Sequence, residues 1–194
     1  MEQVKMEGKL VWKPGTMIYP LPAVLVSCGD KQGNSNILTI AWTGILCSDP
    51  AIVYISVRPE RYSRRIIRES GEFVINLTTE KLEYATDFCG VRSGRDVDKW
   101  KECNLTPMEA TKVYAPIIAE SPVNIECKVM KMERLGSHDM FMAEVIAVDV
   151  SEEFVDEKGR FDINACNLIT FAHGAYYSLK EMIGTFGYTV RKKP

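Results

Sequence analysis

Two apolar runs rich in β-branched residues, Ile37–Cys47 and Ala51–Val57, are separated only by the polar triplet Ser48-Asp49-Pro50. β-branched side chains lose rotamer freedom in a helix and pack well on a pleated surface. Proline fixes its own φ and removes a donor, so the triplet reads as a tight turn. The pair is therefore expected to form adjacent antiparallel strands. Ala23–Ser27, Glu72–Leu77, Pro122–Met132 and Met140–Val150 have the same character. Leu135-Gly136-Ser137-His138-Asp139 joins the two long runs, and Gly29-Asp30-Lys31-Gln32-Gly33-Asn34 is rich in residues that tolerate positive φ. Strands paired with their sequence neighbours in this way suit a β-barrel, which closes on itself and leaves few open edges.

Helical signals are short. Arg61–Ser70 places Ile66 and Ile67 on an apolar side, with Gly71 as a stop. Thr79–Cys89 carries Leu82, Ala85 and Phe88 at spacings of three, which gives one buried stripe. Val91–Lys101 is polar and reads as a loop. Asp156-Glu157-Lys158-Gly159 is a turn, and the tail from Asn164 mixes helix with an aromatic loop. No repeat or linker interrupts residues 1–194, so the expectation is one mainly β domain with short helices.

Composition excludes several function classes. The chain has 46% apolar and 26% charged residues and a formal net charge of −2, an ordinary globular balance. No Lys/Arg stripe points to nucleic acid. No run approaches the roughly 20 apolar residues that span a bilayer. The start, MEQVKMEGKLVW, lacks the apolar segment of a signal peptide, so a cytoplasmic location is expected. Cys28, Cys47, Cys89, Cys103, Cys127 and Cys166 include no CxxC pair, which argues for free, mostly buried thiols over a zinc site. Cys89 stands out because it follows a helix and precedes a glycine loop. There is no G-x-G-x-x-G after a strand, no P-loop, no H-E-x-x-H and no G-x-S-x-G. Only His138 and His173 are present, so a His-rich metal site is excluded.

What remains is Ser35–Ser63. Within Thr39-Ile40-Ala41-Trp42-Thr43, a continuous strand would put Thr39, Ala41 and Thr43 on one face. Backbone amides and hydroxyls there suit a planar polar ring, though threonines also simply favour β geometry. In Ser56-Val57-Arg58-Pro59-Glu60-Arg61-Tyr62-Ser63, arginine can grip a phosphate bidentately. Ser63 falls at a helix start, where free N–H groups favour anions. The alternative is a surface basic cluster that makes ion pairs with Glu60 and Glu69.

Together with PLPAVLVSC, GEFVINL and ESPVNIECKVMKMERLGSHDMFMAEVIAVDV, this segment resembles the flavin reductase-like, FMN-binding split-barrel family, and within it the flavoredoxin branch. The resemblance covers nearly the whole chain. It implies a Greek-key split β-barrel, a homodimer, and non-covalent FMN. It places the flavin ring along Thr39, Ile40, Ala41, Trp42 and Thr43, and the phosphate near Ser56, Val57, Arg58, Tyr62 and Ser63. Phe88, Cys89 and Lys99 fall where relatives complete the pocket, and His173 could cap it. His138 is implied near the flavin or nicotinamide as the catalytic candidate, with a turn histidine bonded to Asp139 as the bland alternative. The implied activity passes electrons from NADH or NADPH through FMN to flavin, ferric iron or a partner protein. The competing readings are an FMN-binding electron carrier without a nicotinamide site, and a barrel that has lost its cofactor.

Overall fold

The computed structural model describes residues 5–191. Seven antiparallel strands make the main sheet. They are β1 (Val24–Gly29), β2 (Ser35–Ile40), β3 (Thr43–Ser48), β4 (Ala51–Val57), β5 (Glu72–Leu77), β6 (Val123–Leu135) and β7 (His138–Val150), in spatial order β2-β1-β5-β6-β7-β4-β3.

The run Ile37–Cys47, expected as one strand, is broken at Ala41-Trp42 into β2 and β3. These two strands do not pair with each other. They form the opposite edges of the sheet. Laid flat, seven strands at about 4.8 Å spacing are some 29 Å wide, while three residues of chain reach about 11 Å at most. The step from Ile40 to Thr43 is therefore possible only if the sheet curls until its edges meet. The Ser56 amide donates to the Trp42 carbonyl at 2.8 Å and so carries the β3–β4 pairing one rung further into the crossing. Bulges at Ile146 in β7, opposite Glu126/Cys127, at Met130 in β6 and at Leu46 in β3 supply local bending and twist. The long hairpin is tighter than its sequence suggests, with β6 and β7 linked by Gly136-Ser137 alone.

Period-two alternation fills the barrel. Val24, Val26 and Cys28 of β1 point inward with Leu38, Ile40, Ile55, Val57, Phe73, Phe141 and Ala143. Leu25 and Ile37 point outward onto α2 (Glu83–Val91), where they meet Leu82, Ala85 and Cys89. Burying β1 on both faces explains why it reads as an unbroken apolar run.

Helix α1 (Tyr62–Ser70) matches its expected span and puts Ile66 and Ile67 into the barrel core. It ends at Gly71, which is left-handed (φ 71°) and donates to the Ile67 carbonyl at 2.9 Å. The second expected helix starts as a short 3₁₀ turn, Glu80–Leu82. The expected loop Val91–Lys101 ends in a helix, α3 (Lys99–Glu102), capped by the Asp98 carboxylate. The tail holds a hairpin, β8 (Ile169–Ala172) and β9 (Ala175–Ser178), where the sequence suggested helix and loop. Among the described residues no helix is long and apolar enough to cross a membrane.

Candidate functional site

A cleft of about 230 Å³ opens at the barrel seam. Its walls are Thr39, Ile40, Ala41 and Trp42 from the crossing, Ser56, Val57 and Arg58 from β4, Arg61, Gly90 at the end of α2, His138, and Phe171 and Tyr176 from the tail hairpin. A second cleft of about 310 Å³ shares Leu38 and Arg61 with the first and continues along Tyr62, Ser63, Arg92, Ser93, Gly94, Arg95 and Lys99.

The seam dictates this placement. Where β2 leaves one edge and β3 enters the other, Ala41-Trp42 spans the gap; the Ser56 amide takes the Trp42 carbonyl, which leaves the Ala41 backbone and the Trp42 N–H to meet a ligand. The indole of Trp42 stacks on the imidazole of His138 with centroids 6.3 Å apart and planes 9° apart. Burial, and then the positive charge of Arg58, hold the His138 imidazolium below the usual histidine range. His138 also bonds through Nδ1 to the Ser137 hydroxyl at 2.9 Å.

The next residue, Asp139, is fully buried. Burial opposes its charge, yet two guanidinium groups keep its carboxyl below the usual range. Arg64 Nε donates at 2.7 Å and Arg134 Nη1 at 2.9 Å. The ion pair ties α1 to the first turn of β7, and so to His138. The turn alternative, a bond between His138 and Asp139, does not form, because Asp139 faces α1.

The arginines set the charge of the rim. Arg58 makes one weak, exposed pair with Glu60 at 3.9 Å, while Glu69 pairs with Arg65 and Arg68. Arg61 donates to the Gly90 carbonyl at 2.8 Å. Arg95 lies over the Tyr62 ring, 5.7 Å from its centroid. Helix α1 has no side-chain N-cap bond and no acidic residue in its first turn, so its positive end stays uncompensated beside these cations.

Eight of the expected residues line the first cleft: Thr39, Ile40, Ala41, Trp42, Ser56, Val57, Arg58 and His138. Tyr62, Ser63 and Lys99 line the second. Several polar groups are already engaged by protein. Thr39 Oγ1 donates to the Thr86 carbonyl. Thr43, on the other edge strand, is buried and donates to the Tyr54 carbonyl at 2.6 Å. Ser63 Oγ is buried and accepts from Asn36 Nδ2 at 2.7 Å. Lys99 Nζ turns inward to the Ile37 and Cys89 carbonyls at 2.7 and 2.8 Å. Thr43, Phe88, Cys89 and His173 line neither cleft. Phe88 stacks on Tyr84, Cys89 is buried under α2, and His173 sits exposed at the β8–β9 turn with φ 49°.

Arg61, Gly90, Phe171 and Tyr176 are site residues that the sequence reading did not single out. Phe171 and Tyr176 are cross-strand partners in register, so recognising His173-Gly174 as a hairpin turn would have put both rings on one face. Tyr176 is pushed up to about 12 by burial and the nearby Asp87 carboxylate, so it keeps its proton.

Residues 16–180 match the flavin reductase like domain. The chain belongs to the flavin reductase-like family. Its structure is similar to flavoredoxin of Desulfovibrio vulgaris (Miyazaki F), with TM-score 0.86, 31% identity, and 94% of this chain and 100% of that one covered. It is also similar to flavoredoxin from Methanosarcina acetivorans, with TM-score 0.83, 25% identity and 97% of each chain covered. An FMN-binding protein from Thermus thermophilus shares the fold at TM-score 0.76 and 23% identity, covering 95% of this chain and 99% of that one. The architecture is thus the split barrel of flavin-binding relatives.

Proposed function

We propose that this protein is an FMN-binding oxidoreductase of flavoredoxin type, passing electrons from NADH or NADPH to flavin, ferric iron or a protein acceptor. The observation that carries the reading is the continuity of the two clefts through Arg61, from a flat wall at Ala41-Trp42 to a rim of arginines. Small-molecule sites usually occupy about 300–1,000 Å³. Each cleft alone is at or below that range, so a mononucleotide needs both.

The donor set fits FMN. The Ala41 backbone and the Trp42 N–H, which bond to no protein group among the described residues, can meet the heteroatoms of a planar ring. Arg58, Arg61 and the uncapped start of α1 suit a phosphate dianion. When bound, FMN supplies the acceptance of a hydride and the release of electrons, which no side chain offers. The chain's own residues hold and shield. Phe171 and Tyr176 wall one side, and His138, stacked on Trp42, fixes the indole at the cleft mouth. Because its charge is disfavoured, His138 is a neutral hydrogen-bonding group near pH 7.

The cleft is open on one side, and Ile45 of the edge strand β3 is 79% exposed. A second copy of the chain covering this region would complete the enclosure, which supports a homodimer.

Calorimetric titration with FMN and riboflavin tests the binding reading. FMN should bind more tightly than riboflavin, and Arg58→Ala should weaken FMN by about 1.5–3 kcal/mol, the scale of a charged hydrogen bond. Equal affinity for both ligands would reject the phosphate assignment. Stopped-flow mixing of the FMN-loaded protein with NADH and NADPH tests the activity. If neither bleaches the flavin while a reduced partner protein does, the protein is an electron carrier.

A further inference from the structure

We propose that Cys89 and Cys103 form a redox modification site, a dithiol that a hydroperoxide converts to an intramolecular disulfide. Their sulfurs are in contact at 3.9 Å, although the residues come from different helices. Cys89 lies within α2 and is fully buried. Cys103 caps the C-terminus of the four-residue α3 and is half-buried, so a small oxidant meets Cys103 first. A disulfide brings the sulfurs to about 2.05 Å. The closure falls mainly on α3, because it is a single turn near the surface and is followed by Asn104 in the left-handed region (φ 51°).

The chemistry balances with the peroxide as the only oxidant. With hydrogen peroxide, the Cys103 thiol gives up its proton, its thiolate attacks one peroxide oxygen, an S–O bond forms, the O–O bond breaks, and the departing hydroxide takes up that proton as water. The Cys89 sulfur then attacks the sulfenic sulfur. An S–S bond forms, the S–O bond breaks, and hydroxide leaves with the Cys89 proton as a second water. Two electrons pass from the two sulfurs to the peroxide. Lys99 places its positive charge beside both sulfurs while donating to the Cys89 carbonyl. Burial nevertheless pushes both thiols up, Cys89 to about 12, so oxidation should accelerate as pH rises and more thiolate forms.

The modification reaches the cleft by a short route. Gly90, next to Cys89, lines the cleft and holds Arg61 through its carbonyl. An added Cβ at Gly90 would already lie 3.3 Å from the Thr39 side chain, so this wall has little slack. Movement of α3 toward Cys89 would shift Lys99, which lines the second cleft and holds the Cys89 carbonyl, and so press on Gly90 and Arg61. This last step, unlike the disulfide, rests on the FMN reading above.

The test treats the full-length protein with hydrogen peroxide and maps disulfides by peptide mass spectrometry, with no flavin present. The expected result is a Cys89–Cys103 cross-link with loss of two hydrogens, reversed by dithiothreitol and absent in Cys103→Ser. Trp100, one turn of α3 from Cys103, should change its fluorescence in parallel in the wild type. Two free thiols after prolonged treatment, or a cross-link between other cysteines, overturns the site. FMN titration of the cross-linked protein should then show affinity several-fold below that of the reduced form. Equal affinity overturns the link to the cleft. A failure of the reduced protein to bind FMN counts against the flavin reading, and the mass result still decides the dithiol site.

Discussion

Trp42 and His138 lie ring over ring, 9° from parallel, although they are almost a hundred residues apart in sequence. Trp42 belongs to the crossing between edge strands, and His138 is the first residue of β7. The contact forms because Trp42 pairs with Ser56 at the end of the β3–β4 hairpin, and β4 is itself paired with the start of β7.

The first prediction concerns the His138 charge. By NMR titration, its midpoint should fall below the ordinary histidine value of about 6.5, and Arg58→Ala should raise it, because Arg58 repels the proton. The unfolded chain binds the proton more readily than the native state, so this contribution to stability is complete above about pH 6.5. It is lost as pH falls toward the native midpoint. A midpoint unmoved by Arg58→Ala would remove that coupling.

The latch between Arg64 and Asp139 should dominate the local stability. Arg64→Ala leaves a fully buried carboxylate with only the exposed Arg134. The loss should be about 2–3 kcal/mol, at the upper end for a charged hydrogen bond and short of a fully orphaned buried ion. Urea unfolding reads this directly. A loss within a few tenths of a kcal/mol of zero would show that Arg134 suffices.

A third prediction is set by two acids on neighbouring strands. Glu126 is fully buried and accepts from the Thr111, Lys112 and Val113 amides and the Thr111 hydroxyl. Burial opposes its charge, yet these donors hold its carboxyl below the usual range. Asp149 is pushed up by burial and by Glu126 beside it, and its Oδ2 is buried without a donor. Asp149 therefore holds its proton to a higher pH in the fold than in the unfolded chain. The unfolded Asp loses its proton near pH 3.9, so the native state holds more protons above that pH and stability declines as pH rises toward the native value. Asp149→Asn, which donates without titrating, should flatten that decline in pH-dependent denaturation curves. Each unit of elevation is worth about 1.4 kcal/mol. An unchanged slope would show that Asp149 is charged in the fold.

Gly94 supplies the fourth. A Cβ there would lie 2.1 Å from Asn36 Oδ1, and Asn36 is a buried donor to Ser63. Gly94→Ala should cost about 1–3 kcal/mol, as overpacking does, and should weaken FMN binding by disturbing the second cleft. Thermal unfolding and FMN titration report the two effects, and wild-type values in both would mean that the Gly94 loop yields freely.

Much of the fold was legible in local pattern. The strands Glu72–Leu77 and Ala51–Val57 and the Gly71 stop follow from period-two burial and from glycine's access to positive φ. The break at Ala41-Trp42 was not legible, because both halves of Ile37–Cys47 have strand character and no glycine or proline marks the corner. The β8–β9 hairpin was missed because its turn residue, His173, is one of the few non-glycine residues with positive φ.

The division at the site is physical. By itself, the sequence determined that residues 35–63 carry strands, a basic turn and the start of a helix, since these depend on neighbours a few positions away. Only the tertiary structure decided which side chains face a ligand. Folding spent the hydroxyls of Thr39 and Ser63 and the ammonium of Lys99 on partners from distant segments, and the Thr43 hydroxyl on the neighbouring strand β4. It left the Ala41 backbone, the Trp42 N–H and the exposed Arg58 guanidinium at the open seam, with Arg61 beside them held by a single bond to the Gly90 carbonyl, because buried polar groups must find partners and groups at a rim need not.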